Sequence, residues 1–187
     1  MTFWRPQPRL LLGLMWTAGA IAASASPAAA LPLIGVGANV GANIQFLGAS
    51  QPSPALDLTA DLTVMGPVFG FEYWRPFDGS LNYAQAGVRY NVSPIPMVSI
   101  QPGVAGINLN GVWGGLGSVN AVFTPLMLPF AVEGMVGAGY VNGSTLLPYS
   151  VGVKLSLIPF TSINLRYRGW AGALNASGPE AGVEIDL

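Results

Sequence analysis

The chain has 187 residues, of which 51% are hydrophobic and only 8% charged, with a formal net charge of −1 and no Cys or His. A water-soluble domain usually carries about a quarter charged residues, so this inventory cannot furnish an ordinary water-facing surface. The near-zero charge gives no electrostatic argument for nucleic acid or any strongly charged partner, and no nucleic acid is expected. The lack of Cys excludes a disulfide framework and a lipid-anchored cysteine, and the lack of His removes the commonest catalytic base and metal ligand.

The N-terminus has the layout of a secretory signal. Arg5 and Arg9 precede an apolar run over residues 10–23, followed by small residues ending in Ala28-Ala29-Ala30, an Ala-x-Ala cleavage pattern. Residues 1–30 therefore read as a signal peptide cleaved near Ala30, and residues 31–187 as the mature chain. Beyond it no stretch offers the roughly 18 uninterrupted apolar residues of a spanning helix. Any membrane this chain crosses is crossed by strands.

Alternation begins at Ile34 and runs through Val36, Ala38, Val40, Ala42, Ile44 and Phe46, with Gly, Asn and Gln between them. Gly35, Gly37 and Gly41 have the wrong spacing for a dinucleotide fingerprint, and no helical pattern follows them. After a polar loop near residues 50–54 comes the most regular stretch, residues 56–64. There Leu56, Leu58, Ala60, Leu62 and Val64 alternate with Asp57, Thr59, Asp61 and Thr63. Successive strand side chains point to opposite faces, so this is a strand with one greasy and one wet side. A turn at Met65-Gly66-Pro67 leads to Phe69, Phe71 and Tyr73, and residues 76–80 form a loop. Two more alternating runs flank a proline turn at residues 93–96. Residues 106–115 are irregular and are expected to hold a bulge or a longer loop. Further strands follow from Val119, Phe130, Leu147, Ile163 and Ala181, separated by turns at residues 125–129, Asn142-Gly143, Pro159 and residues 175–179.

The parity of the charges decides what the greasy side faces. Asp57, Asp61, Glu72, Arg89, Glu133, Lys154, Arg166, Arg168, Glu180, Glu184 and Asp186 all fall on the wet face; Arg75 and Asp78 sit at a strand end and in a loop. A cation facing lipid at mid-depth costs about 2–4 kcal/mol, which makes such a partition a signature of a lipid-facing exterior. On the greasy face, Phe46, Tyr73, Tyr140 and Tyr149 fall near one rim and Phe69, Tyr90, Phe123, Phe130 and Phe160 near the other. Two aromatic bands are what the two bilayer interfaces require. A lipocalin-like barrel has the opposite sense, apolar inside and charged outside. The expected fold is all-β: a closed antiparallel up-and-down transmembrane barrel of about ten strands, with eight as the alternative. If the last two strands pair around Ala176, Arg168 comes opposite Glu184 and Arg166 opposite Asp186.

On these residues the mature chain resembles small bacterial outer-membrane β-barrels of the OmpA and OmpX kind. Val183, Ile185 and Leu187 keep the alternating C-terminal strand of that class, with Leu187 in place of its terminal aromatic. The resemblance implies the outer membrane of a diderm bacterium, with the lipid bilayer and the outer-membrane assembly machinery as partners. The expected role is structural, in the cell envelope, with a lumen largely filled by its own polar and charged side chains. The alternative is a narrow, weakly cation-preferring pore for ions or small polar solutes, supported by wet-face glycines that leave space (Gly35, Gly37, Gly41, Gly87, Gly103, Gly137, Gly139, Gly152). A barrel-embedded enzyme is the remote alternative. It would call for a rim His, and Ser150, Lys154 and Ser156 offer only a Ser–Lys arrangement, so no catalytic residue, metal or cofactor is expected.

Overall fold

The computed structural model describes residues 36–48, 53–125 and 128–187. The signal-peptide reading of residues 1–30, the strand start at Ile34 and Gly35 lie outside the described residues. The strands are β1 (Val36–Gln45), β2 (Ala55–Val64), β3 (Pro67–Pro76), β4 (Tyr83–Tyr90), β5 (Val92–Ile95), β6 (Val98–Leu109), β7 (Val112–Phe123), β8 (Phe130–Val141), β9 (Ser144–Ile158), β10 (Thr161–Gly172) and β11 (Ala176–Asp186).

Apart from β4 and β5, each strand pairs antiparallel with the next, and β1 pairs with β11 from Asn39↔Asp186 to Gln45↔Glu180, closing the sheet. Segments β4 and β5 form one stave interrupted at Asn91, since both pair with β6. The result is a closed ten-stave barrel; the eight-strand alternative is set aside. Closure gives every strand two neighbours and leaves no edge, the condition under which a sheet can sit in hydrocarbon. The seam continues past the strand ends, where Leu187 N–H donates to the Ala38 carbonyl (2.7 Å) and Phe46 N–H to the Pro179 carbonyl (2.8 Å).

Two expectations are corrected. Residues 106–115 are not irregular: β6 and β7 are regular strands paired from Val98↔Phe123 to Leu109↔Val112. They are joined by Asn110 and Gly111 alone, at φ 52° and 87°; Asn142 (49°) and Gly143 (77°) make the same connection between β8 and β9. Both central residues of this tight hairpin turn need positive φ, which is why Asn-Gly suits it. The β10–β11 register also differs. The turn lies at residues 173–175 rather than Ala176, where Asn175 Oδ1 accepts from Gly172 N–H (3.1 Å). Arg166 therefore stands opposite Glu180, Arg168 opposite Gly178 and Glu184 opposite Ser162.

The connections fall on two rims. Among the described residues, one rim, the loop rim, carries residues 46–48, 53–54, 77–82, 110–111, 142–143 and 173–175; the other, the turn rim, carries residues 65–66, 96–97, 124–125, 128–129 and 159–160 together with Val36 and Leu187. An even number of staves brings both described ends to one side.

Candidate functional site: the barrel interior

The outside of the barrel is apolar over its whole height. Val40, Leu62, Val104, Val136 and Val151 point outward, with Val104 66% and Val136 65% exposed. Phe46, Tyr140, Tyr149, Phe69, Tyr90, Phe123 and Phe160 are exposed on this face, and Tyr73 and Phe130 are half-buried. Trp113, 73% exposed beside the 110–111 turn, and Tyr167 are also exposed on this face, beyond the aromatics expected in the two bands.

Inside, the loop-rim end is filled by apolar side chains. Trp74, Tyr83, Ile107, Val141, Leu146 and Trp170 are each no more than 2% exposed and pack with Ala55, Leu116, Leu174 and Ala176. The Trp74 and Trp170 rings lie 4.7 Å apart at 52°, and Tyr83 meets Trp170 edge-on at 5.8 Å. Such tilted and edge-on aromatic pairs are favourable beyond the area they bury. At this end the plug departs from the expectation of a lumen largely filled by polar and charged groups. Its residues share the wet parity: Trp74 lies two positions from Glu72, and Trp170 two from Arg168. The available signal was that apolar residues on this parity gather where strands approach the loop rim.

Directly beneath the plug lies an ion-pair cluster. Arg168, 3% exposed, places its guanidinium carbon 4.3 Å from the Trp170 ring centre, its Nη1 2.8 Å from Asp57 Oδ2 and its Nη2 against Glu72. Arg166 Nη2 is 2.6 Å from both Asp57 Oδ2 and Glu180 Oε1. The polar and apolar layers are stitched together by Gln45, which accepts from Trp74 Nε1–H (2.8 Å) and donates to the Arg168 carbonyl (2.8 Å). Charges so far out of water are tolerable only when paired and hydrogen-bonded.

Nearer the turn rim are two further groups. Arg89 Nη2 sits 2.6 Å from Asp61 Oδ2. Lys154 Nζ is 2.6 Å from Glu184 Oε2 and 3.1 Å from Asp186 Oδ1, and Asn39 Nδ2 donates to Asp186 (2.6 Å) and Glu184 (3.1 Å). Glu133 also faces inward but enters none of these ion pairs. The interior glycines do not simply leave space. A Cβ on Gly103 would stand 2.6 Å from Arg89 Cγ, and one on Gly152 would overlap Arg166 Cβ, so these positions are already occupied by arginine stems. Gly37, with nothing within 4 Å, is open.

What space remains is a polar cavity of about 310 Å³, reaching from Arg168 and Glu72 down to Thr63, Asn91 and Val122 at the turn rim. Among the described residues the lumen is a cup, stoppered at the loop rim by aromatic rings and opening toward the turn rim.

No family model matches the chain, and no curated protein matches it in sequence. Among solved structures it is similar to KdgM porin, with a TM-score of 0.51 at 10% identity over 80% of this chain and 98% of that chain. Looser likenesses are the de novo designed transmembrane barrel TMB2.3 (TM-score 0.43, 12% identity, 83% and 96% covered). A triple mutant of Rhodopseudomonas blastica porin is looser still (0.39, 14%, 75% and 46%). The fold is thus a closed antiparallel transmembrane-type β-barrel, shared in outline with KdgM porin.

Proposed function

We propose that the chain is a bacterial outer-membrane protein with a structural, envelope-stabilising role and a closed lumen, in the manner of the small OmpA- and OmpX-like barrels. In this reading residues 1–30 direct export and are removed. The two aromatic bands sit at the bilayer interfaces, and the turn rim, which carries both ends of the described barrel, faces the periplasm. The observation that carries it is the aromatic plug seated on the Arg166–Arg168 cluster. A barrel built to conduct has no use for two buried tryptophans across its bore. Lys154, held by Glu184 and Asp186, is not free to activate Ser150 or Ser156, which supports a non-enzymatic role.

The second reading, a narrow cation-preferring pore, is favoured by the excess of seven inward carboxylates over four inward cations. Planar-bilayer recording separates the two. The wild-type barrel is expected to be silent at all voltages, and Trp74→Ala with Trp170→Ala to conduct, with cations preferred. Regular conductance steps from the wild type would reverse the assignment.

A further inference from the structure

We infer that the lumenal cup binds a small primary ammonium ion, with the Glu133 carboxylate as its counter-charge. All four lumenal cations are already committed: Arg89 to Asp61, Lys154 to Glu184 and Asp186, Arg166 to Asp57 and Glu180, Arg168 to Asp57 and Glu72. Among the described residues Glu133 is the lumenal carboxylate left with no cationic partner.

Its ladder neighbours cannot supply one. Val122 stands opposite on β7 and Gly152 on β9. Two residues along β7, on the same face, Asn120 has its Oδ1 buried without a hydrogen-bond partner. Glu133 and Asn120 line the same cavity, with Gln101 and Ser118 also on its wall. A partly desolvated carboxylate and an orphan amide oxygen on one wall both call for donors.

The chemistry of these groups selects the class of cation. No group of three or more acidic, His or Cys side chains among the described residues could hold a metal, and Ca²⁺ or Mg²⁺ needs a fuller oxygen shell. An alkylammonium carries one charge and three N–H donors, matching one carboxylate and neutral oxygen acceptors. The cavity holds about ten water volumes at roughly 30 Å³ each, ample for an ammonium with a short alkyl tail. Because the plug closes the far end, the cation enters and leaves by the turn rim and is held rather than passed. That last point rests on the closed-lumen reading.

The test is titration calorimetry of the full mature barrel in detergent at low salt, with propylammonium chloride as the probe. One site is expected, at least tenfold weaker in Glu133→Gln, and at least tenfold weaker for tetramethylammonium, which has the charge but no N–H. Asn120→Asp, which adds a second carboxylate to the same wall, is expected to tighten binding severalfold. Heat-modifiable mobility checks that each variant is folded. No wild-type binding, or equal binding by wild type and Glu133→Gln, overturns the inference. Conductance recorded on the same preparation keeps the readings apart: a silent barrel that binds nothing refutes this inference alone, and a conducting barrel that binds refutes the closed lumen alone.

Discussion

Replacing Arg168 with Leu is the perturbation that most directly probes what holds the interior together. The side chain is buried, and its guanidinium touches Asp57 and Glu72 and lies under the Trp170 ring. Removing one partner of a buried ion pair costs about 3–5 kcal/mol, because the other charge is left uncompensated. Here the loss falls mainly on Glu72, since Asp57 keeps Arg166 at 2.6 Å. With a urea dependence of about 2 kcal/mol per molar, the unfolding midpoint should fall by about 2 M. Tryptophan fluorescence follows the transition, and heat-modifiable mobility reports the folded fraction independently. The companion variant, Arg168→Leu with Glu72→Leu, removes the stranded charge as well. Apolar replacement of a whole buried pair is often neutral or better, so it should recover most of the lost stability. A single variant within about 0.3 M of wild type, or a double variant no better than the single, would refute the view that charge pairing beneath the plug governs stability.

Two other outcomes follow from the geometry. Leu58→Arg, outward on β2, should cost about 2–4 kcal/mol if that face meets hydrocarbon, whereas Thr63→Arg, inward at the cavity mouth, should fold in lipid vesicles at near wild-type yield. Equal loss in both would invert the inside-out assignment. In the loop between β3 and β4, Ser80 N–H donates to Asp78 Oδ1 (2.9 Å), and this backbone hydrogen bond holds the Asp78 carboxyl below its ordinary value. A depressed carboxylate stabilises its loop above the ordinary titration range and loses that effect as the pH falls through its folded value. Amide exchange of Ser80 should therefore be slowed, relative to Asp78→Asn, at neutral pH, with the difference vanishing in acid; a difference that persists unchanged in acid excludes the carboxylate as the cause.

The all-β class, the strand count and the up-and-down order were legible in the chain because period-two alternation is a local property. A strand's two faces meet different solvents, and each stretch of eight to twelve residues records that by itself. The same locality explains the errors. The Asn110-Gly111 turn was obscured by the flanking glycines and Trp113, which weaken alternation although the backbone pairs without interruption. Parity could put Trp74, Trp170 and Arg168 on one face, but not reveal that residues from β3 and β10 meet across the bore and stack. Nor could it find the partners of the charges. A two-stranded ladder slides in two-residue steps without changing faces, so Arg168 opposite Glu184 and Arg168 opposite Gly178 are equally good to a pattern reader. Only closure of the cylinder, which fixes each strand against two neighbours at once, brings Asp57 of β2 and Glu72 of β3 to the arginines of β10 and leaves Glu133 without a cation.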